Sequence, residues 1–264
     1  MLLNRLLSSL VFISIVLFAV FNSLVFKVAV IAIIILGLYE FFTMLENKGI
    51  RIYKYFGIGL GIVIPLSILF RFELTKRWEL LFIVLTLLFL IMMQFKRRNT
   101  SGVIVDISTT LFGIMYVSWL FSFLIKIRSL SGGVALLGAL LLITKLCDIG
   151  AYLVGSRFGR IPLMPRISPK KSVEGGVGGL LFSILGAMAC QPFLQFTYFH
   201  LVFLGLAIGV LAQLGDLSES LLKRDCGVKD SGGLLPGLGG ILDSIDSVLF
   251  TAPVFYFYIS TICR

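Results

Sequence analysis

Residues 201–246 read LVFLGLAIGVLAQLGDLSESLLKRDCGVKDSGGLLPGLGGILDSID, and an apolar run resumes directly after them. Two apolar segments, Leu201–Leu222 and Gly240–Ile262, therefore flank a short connection. That connection carries Lys223, Arg224, Lys229 and Asp230, then Leu235-Pro236-Gly237-Leu238-Gly239-Gly240. Each segment approaches the ~20 apolar residues that cross a hydrocarbon core as a helix. Charge at the mouth of such a span is costly and marks function. Asp243 and Asp246, at i and i+3, share one helix face with Cβ atoms about 5–6 Å apart. Like charges that close repel unless a cation lies between them. Cations before the glycines and carboxylates after them describe a phosphate-plus-metal site at a membrane surface.

The rest of the chain has the same character. Of its 264 residues 58% are hydrophobic and 14% charged, with a mean hydropathy of +1.06; a soluble domain is nearer half apolar and a quarter charged. The expected fold is all-α, a polytopic integral membrane protein with about nine transmembrane helices. The candidates are Ser8–Phe26, Val28–Leu45, Tyr55–Phe70, Trp78–Phe95, Ile107–Ile125, Gly133–Val154, Gly176–Pro192, Leu201–Leu222 and Gly240–Ile262. Lys27 is read as the break between the first two. Residues 1–264 form one membrane domain, with N-terminal spans over 1–131 and the chemistry over 132–264.

The net charge of +10 would suggest nucleic acid in a soluble protein. Here the basic residues cluster in loops between spans, where they set topology and attract anionic lipid, so no nucleic-acid partner is expected. The N-terminal side and the even-numbered connections hold an excess of Lys and Arg of about two to one, which places that side in the cytoplasm. The polar loops after the sixth and eighth spans then both face the cytoplasm, and the chain resides in the cell (inner) membrane. Cys147, Cys190, Cys226 and Cys263 show no paired spacing for a disulfide framework or a zinc site. His200 is the one histidine, which argues against a Ser-His-Asp triad.

The loop after the sixth span runs from Asp148-Ile149-Gly150-Ala151-Tyr152 through Arg157 and Arg160 to Ser168-Pro169-Lys170-Lys171-Ser172-Val173-Glu174-Gly175-Gly176. Ser168 and Ser172 offer hydroxyls, and Lys170 and Lys171 offer point charges suited to phosphate. The glycines let backbone N–H groups approach an anion. No Walker A pattern occurs. Arg157 and Arg160 read equally well as topology determinants. Asp148 lies at i+3 from Lys145, so a structural ion pair stands beside a functional role. Gln213 and Asp216 lie one turn apart on the eighth span. Asp216, Asp243 and Asp246 converge if the eighth and ninth spans pack together, and their hard oxygens suit Mg²⁺. Glu40 is an acid at membrane depth with no cluster around it and no assigned role; Asp106 reads as a helix-start residue.

These motifs resemble those of the phosphatidate cytidylyltransferase (CDP-diacylglycerol synthase) family. The resemblance is carried by Ser220-x-Leu222-Lys223-Arg224-x4-Lys229-Asp230-x-Gly232-x2-Leu235-Pro236-Gly237-x-Gly239-Gly240-Ile241-x-Asp243-x2-Asp246. Ser168-Pro169-Lys170-Lys171-Ser172-Val173-Glu174-Gly175 and Asp148-x-Gly150-Ala151-Tyr152 add to it. Leu238 stands where the family usually has His, and Ser244 where it has Arg. The resemblance implies CMP transfer from CTP to phosphatidic acid within a lipid bilayer, with Mg²⁺ and room for a second, monovalent cation, and leaves a homodimer open. It implies catalytic roles for Asp148, Lys170, Lys171, Asp216, Asp243 and Asp246, with Asp216, Asp243 and Asp246 on the metal. Ser168, Ser172, Glu174, Lys223, Arg224, Lys229, Asp230, Gly239 and Gly240 would contact substrate. A CTP-dependent polyprenol or phytol kinase and an ion-coupled transporter are the rival readings. The first would need a base for a neutral hydroxyl, and the second would place its acids at the midplane rather than in loops.

Overall fold

The computed structural model describes residues 18–70, 78–95, 101–234 and 239–262. Its helices are α1 (Ser23–Asn47), α2 (Lys54–Leu69), α3 (Trp78–Gln94), α4 (Val103–Arg128), α5 (Gly133–Phe158), α6 (Val173–Ala189), the short α7 (Gln191–Leu194), α8 (Tyr198–Asp225) and α9 (Ile241–Ile262). A π-helical stretch, Ile114–Trp119, interrupts α4. There the Ser118 hydroxyl donates to the Gly61 carbonyl of α2.

Five of these helices, α1, α4, α5, α8 and α9, are long and apolar enough to cross a membrane alone; α2, α3 and α6 are shorter apolar helices. The first expected span lies largely outside the described residues, so they do not establish a total of nine. The expected break at Lys27 is corrected. The chain breaks at Asn22, whose side chain accepts from the N–H groups of Leu24 and Val25 at 3.1 and 3.2 Å, and Lys27 lies inside α1. An amide N-cap stops a helix, whereas one lysine among apolar residues does not. The all-α expectation holds except for a two-stranded antiparallel hairpin between α5 and α6, β1 (Pro162–Met164) and β2 (Ser168–Ser172).

The interior is a continuous apolar cluster that includes Ile34, Leu38, Phe42, Val117, Phe123, Leu137, Leu140, Ile245, Leu249 and Phe255. The outward faces are apolar too: Leu81, Leu85, Leu88 and Met92 lie exposed along α3, as expected of a face solvated by lipid. Lipid tails gain nothing from water expulsion, so such helices associate through close packing, hydrogen bonds and small residues. α5 and α6 show this. A Cβ at Gly178 would lie 2.5 Å from Val154 Cβ and 3.0 Å from the Gly150 carbonyl; one at Gly175 would lie 3.1 Å from Gly155 Cα. The resulting backbone approach sets Asp148 beside the hairpin that carries Lys170 and Lys171.

Three contacts mark the opposite ends of the bundle. At one end Lys48, just after α1, pairs with Asp225 at the close of α8 at 2.5 Å. At the other, Arg128 Nε donates to the Val20 carbonyl at 3.2 Å, and His200 Nδ1 lies 2.8 Å from the Tyr258 hydroxyl.

Gly178→Ala is expected to lower the melting temperature of the detergent-purified protein, an overpacking cost of about 1–3 kcal/mol. Gly138→Ala, on α5 where an added methyl meets nothing within 4 Å, should not. Equal melting temperatures would show that the α5–α6 contact tolerates the methyl.

Candidate active site

At the Lys48–Asp225 end, α5, α6, α8, α9 and the hairpin enclose a cavity of about 600 Å³. Lys145, Asp148, Lys170, Lys171, Ser172, Asp216, Lys223, Asp243 and Asp246 all line it. The predicted convergence of the eighth and ninth spans is observed. Gly215 makes it sterically feasible: a Cβ there would meet the Asp246 carbonyl at 2.5 Å and Ser247 Cα at 3.1 Å. Backbone contact between α8 and α9 therefore places Asp216 beside Asp246.

Most of the charges on this wall have a defined neighbour. Lys171 Nζ lies 2.6 Å from Asp216 Oδ2. Lys145 Nζ lies 3.0 Å from Asp148 Oδ2, the intrahelical pair its spacing allowed. The Ser247 hydroxyl lies 3.3 Å from Asp148 Oδ1 and 3.2 Å from Asp246 Oδ1. A hydroxyl has one proton to donate, so these two carboxylates share a donor that fully serves one at a time. Asp246 also accepts its neighbour's N–H, from Ser247 at 2.6 Å, and is buried.

Asp243 is occupied differently from Asp216 and Asp246. Its Oδ2 accepts from Gly240 N at 2.7 Å and from Ser231 N and Oγ, both at 3.0 Å; its Oδ1 meets Lys223 Nζ. Asp243 thus closes the first turn of its own helix while holding a lysine. Lys223 Nζ also lies 2.6 Å from Glu219 Oε2. Glu219 is fully buried, and sequence reasoning gave it no role; its i,i+4 spacing to Lys223 was the available signal. Among the described residues no group of three or more His, Cys, Asp or Glu side chains is assembled closely enough to hold a metal by itself.

The remaining predicted substrate-binding residues lie outside the cavity lining or hold the loops that form it. Ser172 caps α6, accepting from Gly175 N at 3.1 Å. Glu174 accepts from Arg160 N at 3.0 Å and Ile161 N at 3.2 Å, tying the start of the hairpin to α6. Arg224 donates to the carbonyls of Ile167 and Val228, each at 3.3 Å. Ser168 is half-buried on β2, and Lys229 and Asp230 are exposed beyond α8. Gly239 and Gly240 face carboxylates of the protein, Asp243 and Glu40, rather than the cavity. Leu238, one of the two departures, lies outside the described residues. Ser244, the other, donates its hydroxyl to the Gly240 carbonyl at 3.3 Å, just before α9. Gln213 donates to the Gly176 carbonyl at 2.9 Å and ties α8 to the start of α6.

The model of the Cytidylyltransferase family matches residues 3–262. The chain belongs to the cytidylyltransferase family. A phosphatidate cytidylyltransferase of Synechocystis sp. is 38% identical over 267 residues, covering 89% of this chain and 88% of that protein. The Bacillus subtilis phosphatidate cytidylyltransferase is 42% identical over 149 residues, 55% of each chain. An uncharacterized protein of Escherichia coli is 40% identical over 155 residues, 58% of this chain and 51% of its own. The matches to the last two span about half the length of those relatives. In this cytidylyltransferase the fold brings Asp148, Lys170, Lys171, Asp216, Lys223, Asp243 and Asp246 to the lining of one cavity.

Lys223→Met is expected to destabilise the protein by roughly 3–5 kcal/mol, because it leaves buried Glu219 and half-buried Asp243 without the cation they share. Adding Glu219→Gln should restore part of the loss, and Lys229→Met, at an exposed site, should leave the melting temperature unchanged. Melting curves of the purified variants decide this, and a Lys223→Met protein as stable as the wild type would contradict it.

Proposed function

We propose that this membrane protein transfers CMP from CTP to phosphatidic acid, giving CDP-diacylglycerol and pyrophosphate. A phosphate oxygen of phosphatidic acid bonds to the α-phosphorus of CTP. The bond from that phosphorus to the bridging oxygen of the β-phosphate breaks, and the electron pair leaves with pyrophosphate. One observation carries the reading: four lysines and four aspartates line a single cavity at the basic end of the bundle, in a chain whose relatives include named phosphatidate cytidylyltransferases. The nucleophile is a phosphate monoester, already carrying about 1.5–2 negative charges at pH 7. It needs alignment and charge neutralisation rather than a protein base. A polyprenol hydroxyl would need a base, and the chain's one histidine lies at the opposite end, beside Tyr258.

Lys170 is exposed on β2 at the cavity and is placed to meet incoming phosphate. Lys171 and Lys145 stand beside Asp216 and Asp148 and hold the reacting phosphates against the acidic wall. Ser172 and Glu174 keep the hairpin in place beneath them.

The wall fits a Mg²⁺ ion. Its aspartates equal its lysines in number, so it offers no net positive charge to a triphosphate, and the missing charge has to come from a cation. Mg²⁺ is usually held by one or two carboxylates together with substrate phosphates rather than by an all-protein cage. We assign that role to Asp216 and Asp246, with Asp148 next to them, because Asp243 is committed to Lys223 and to the start of α9. Bound there, Mg²⁺ would neutralise and orient phosphate oxygens.

Purified protein given CTP labelled at the α-phosphate should place the label in lipid, while a γ-phosphate label should leave in pyrophosphate. Asp216→Asn and Asp246→Asn should each reduce that transfer more than ~10²-fold with the protein still folded. A γ-label in the lipid would establish a kinase instead.

The cytoplasmic orientation of the cavity is supported by the shared end of Lys48, Lys171, Lys223 and Arg224. In a cysteine-free background, Lys229→Cys should resist an impermeant maleimide in intact cells and react after lysis. Ser129→Cys, at the opposite end, should react in both. The reverse pattern would invert the topology.

A further inference from the structure

Glu40, on α1, is a buried acid that the proposed chemistry leaves unused, and it lies far in sequence from every motif described above. Its Oε1 accepts from Ile241 N at 3.0 Å and its Oε2 from Leu242 N at 2.9 Å. The Ser231 hydroxyl lies 3.2 Å from Glu40 Oε2 and 3.0 Å from Asp243 Oδ2, so one side chain joins the two carboxylates. The first N–H groups of a helix have no partner within it, and the residues before α9, Gly239 and Gly240, have no side chain to supply one. Glu40 supplies it from another helix.

We infer that Glu40 is a positioning residue for the CMP transfer, fixing the height and rotation of α9 and so the place of Asp243 and Asp246. The inference rests on the transfer reading above. Successive N–H groups of a helix are turned by about 100° around its axis. A carboxylate that holds two of them restrains rotation as well as position. The carboxylate is itself held. Glu40 is 3% exposed, and a Cβ added at Gly240 would come within 2.5 Å of its Oε2. A side chain at Gly232 would likewise collide with it. The glycines of the motif therefore admit a carboxylate from the N-terminal half of the chain. Asp246 stands at i+5 from Ile241, within the stretch whose register this contact sets. Displacing a reacting or aligning group by about 1 Å can cost ~10²-fold in rate.

The test compares full-length, detergent-purified wild type with Glu40→Gln and Ser231→Ala. Glu46→Gln, at an exposed site on the same helix, serves as control. Turnover, the KM for CTP, melting temperature and the rate of tryptic cleavage after Lys229 are measured for each. Glu40→Gln keeps the volume but presents an N–H where the helix end needs an acceptor. Its turnover should fall about 10–100-fold with the KM for CTP within about threefold and the folded fraction unchanged, and cleavage at Lys229 should quicken. Glu46→Gln, which loses only a contact to Lys54, should keep wild-type turnover and cleavage at Lys229. A folded Glu40→Gln protein with wild-type turnover, or turnover falling only in step with the folded fraction, overturns the inference. If Glu40→Gln does not fold, Ser231→Ala decides: lost turnover at an unchanged melting temperature supports the link, and wild-type turnover overturns it. Wild-type protein that transfers no CMP refutes the reaction instead. The proteolysis arm then still judges Glu40, and an unchanged rate there overturns its role.

Discussion

A charge inside an apolar bundle has to meet an opposite charge or an unfilled helix end, and the basic end of this protein is organised by that requirement. Most of its contacts join different elements. Lys171 on β2 meets Asp216 on α8, Lys223 on α8 meets Asp243 on α9, and Glu40 on α1 meets the start of α9. Satisfying the charges therefore also fixes how the helices stand. The contacts are unequal in weight. Lys48–Asp225 is largely exposed, with side chains 34% and 61% accessible, and such a pair contributes about 0–1 kcal/mol. Lys223 and Glu219 are 12% and 1% accessible, and removing one partner there leaves the other inside the bundle without its counter-charge at a cost of roughly 3–5 kcal/mol. The second pair decides the local structure.

Small residues let these charges meet. Gly215 allows α8 and α9 to touch through backbone, and the Gly155–Gly175 approach brings α5 against α6. A methyl at either contact would part elements whose side chains reach across to one another, as Lys171 on β2 does to Asp216 on α8 at 2.6 Å. Hydrogen bonds and ion pairs weaken steeply with distance and angle. Close helix packing and charge satisfaction are thus one constraint in this part of the bundle, since neither can be relaxed without the other.

The apolar helices after the first expected span were legible because apolar runs of this length have few other uses, and apart from the corrected break before Ser23 their observed ends fall within a few residues of the expected ones. The meeting of Asp216 with Asp246 was legible from the short connection between two spans. Lys27 misled because a charge was weighted above an N-cap, although Asn22 stood in view. The hairpin was missed because Ser168-Pro169-Lys170-Lys171-Ser172 has no apolar alternation to announce a strand. Asp243 was read as a bare ligand, although a carboxylate three residues past Gly240 is also where a helix start is capped. Glu40 could not be placed from sequence at all. Its partners are backbone N–H groups some two hundred residues away, and a backbone donor leaves no residue type to notice.

The balance of charge on the cavity wall bears on how a nucleotide is handled there. A wall of lysines alone would attract CTP strongly, but it would attract pyrophosphate as well. Binding that is equal for substrate, transition state and product lowers KM without raising turnover. Here four aspartates accompany four lysines, so the wall has little net attraction for an anion arriving by itself. The lysines nearest the aspartates are already paired at 2.6 and 3.0 Å. In the proposed reaction a phosphate would therefore arrive with its own cation, or exchange places with a carboxylate, before gaining the full strength of those contacts. On the proposed reaction, such a wall would favour a metal-bound triphosphate over free phosphate by the same pairs that let four lysines and four acids lie together without unfolding the helices that carry them.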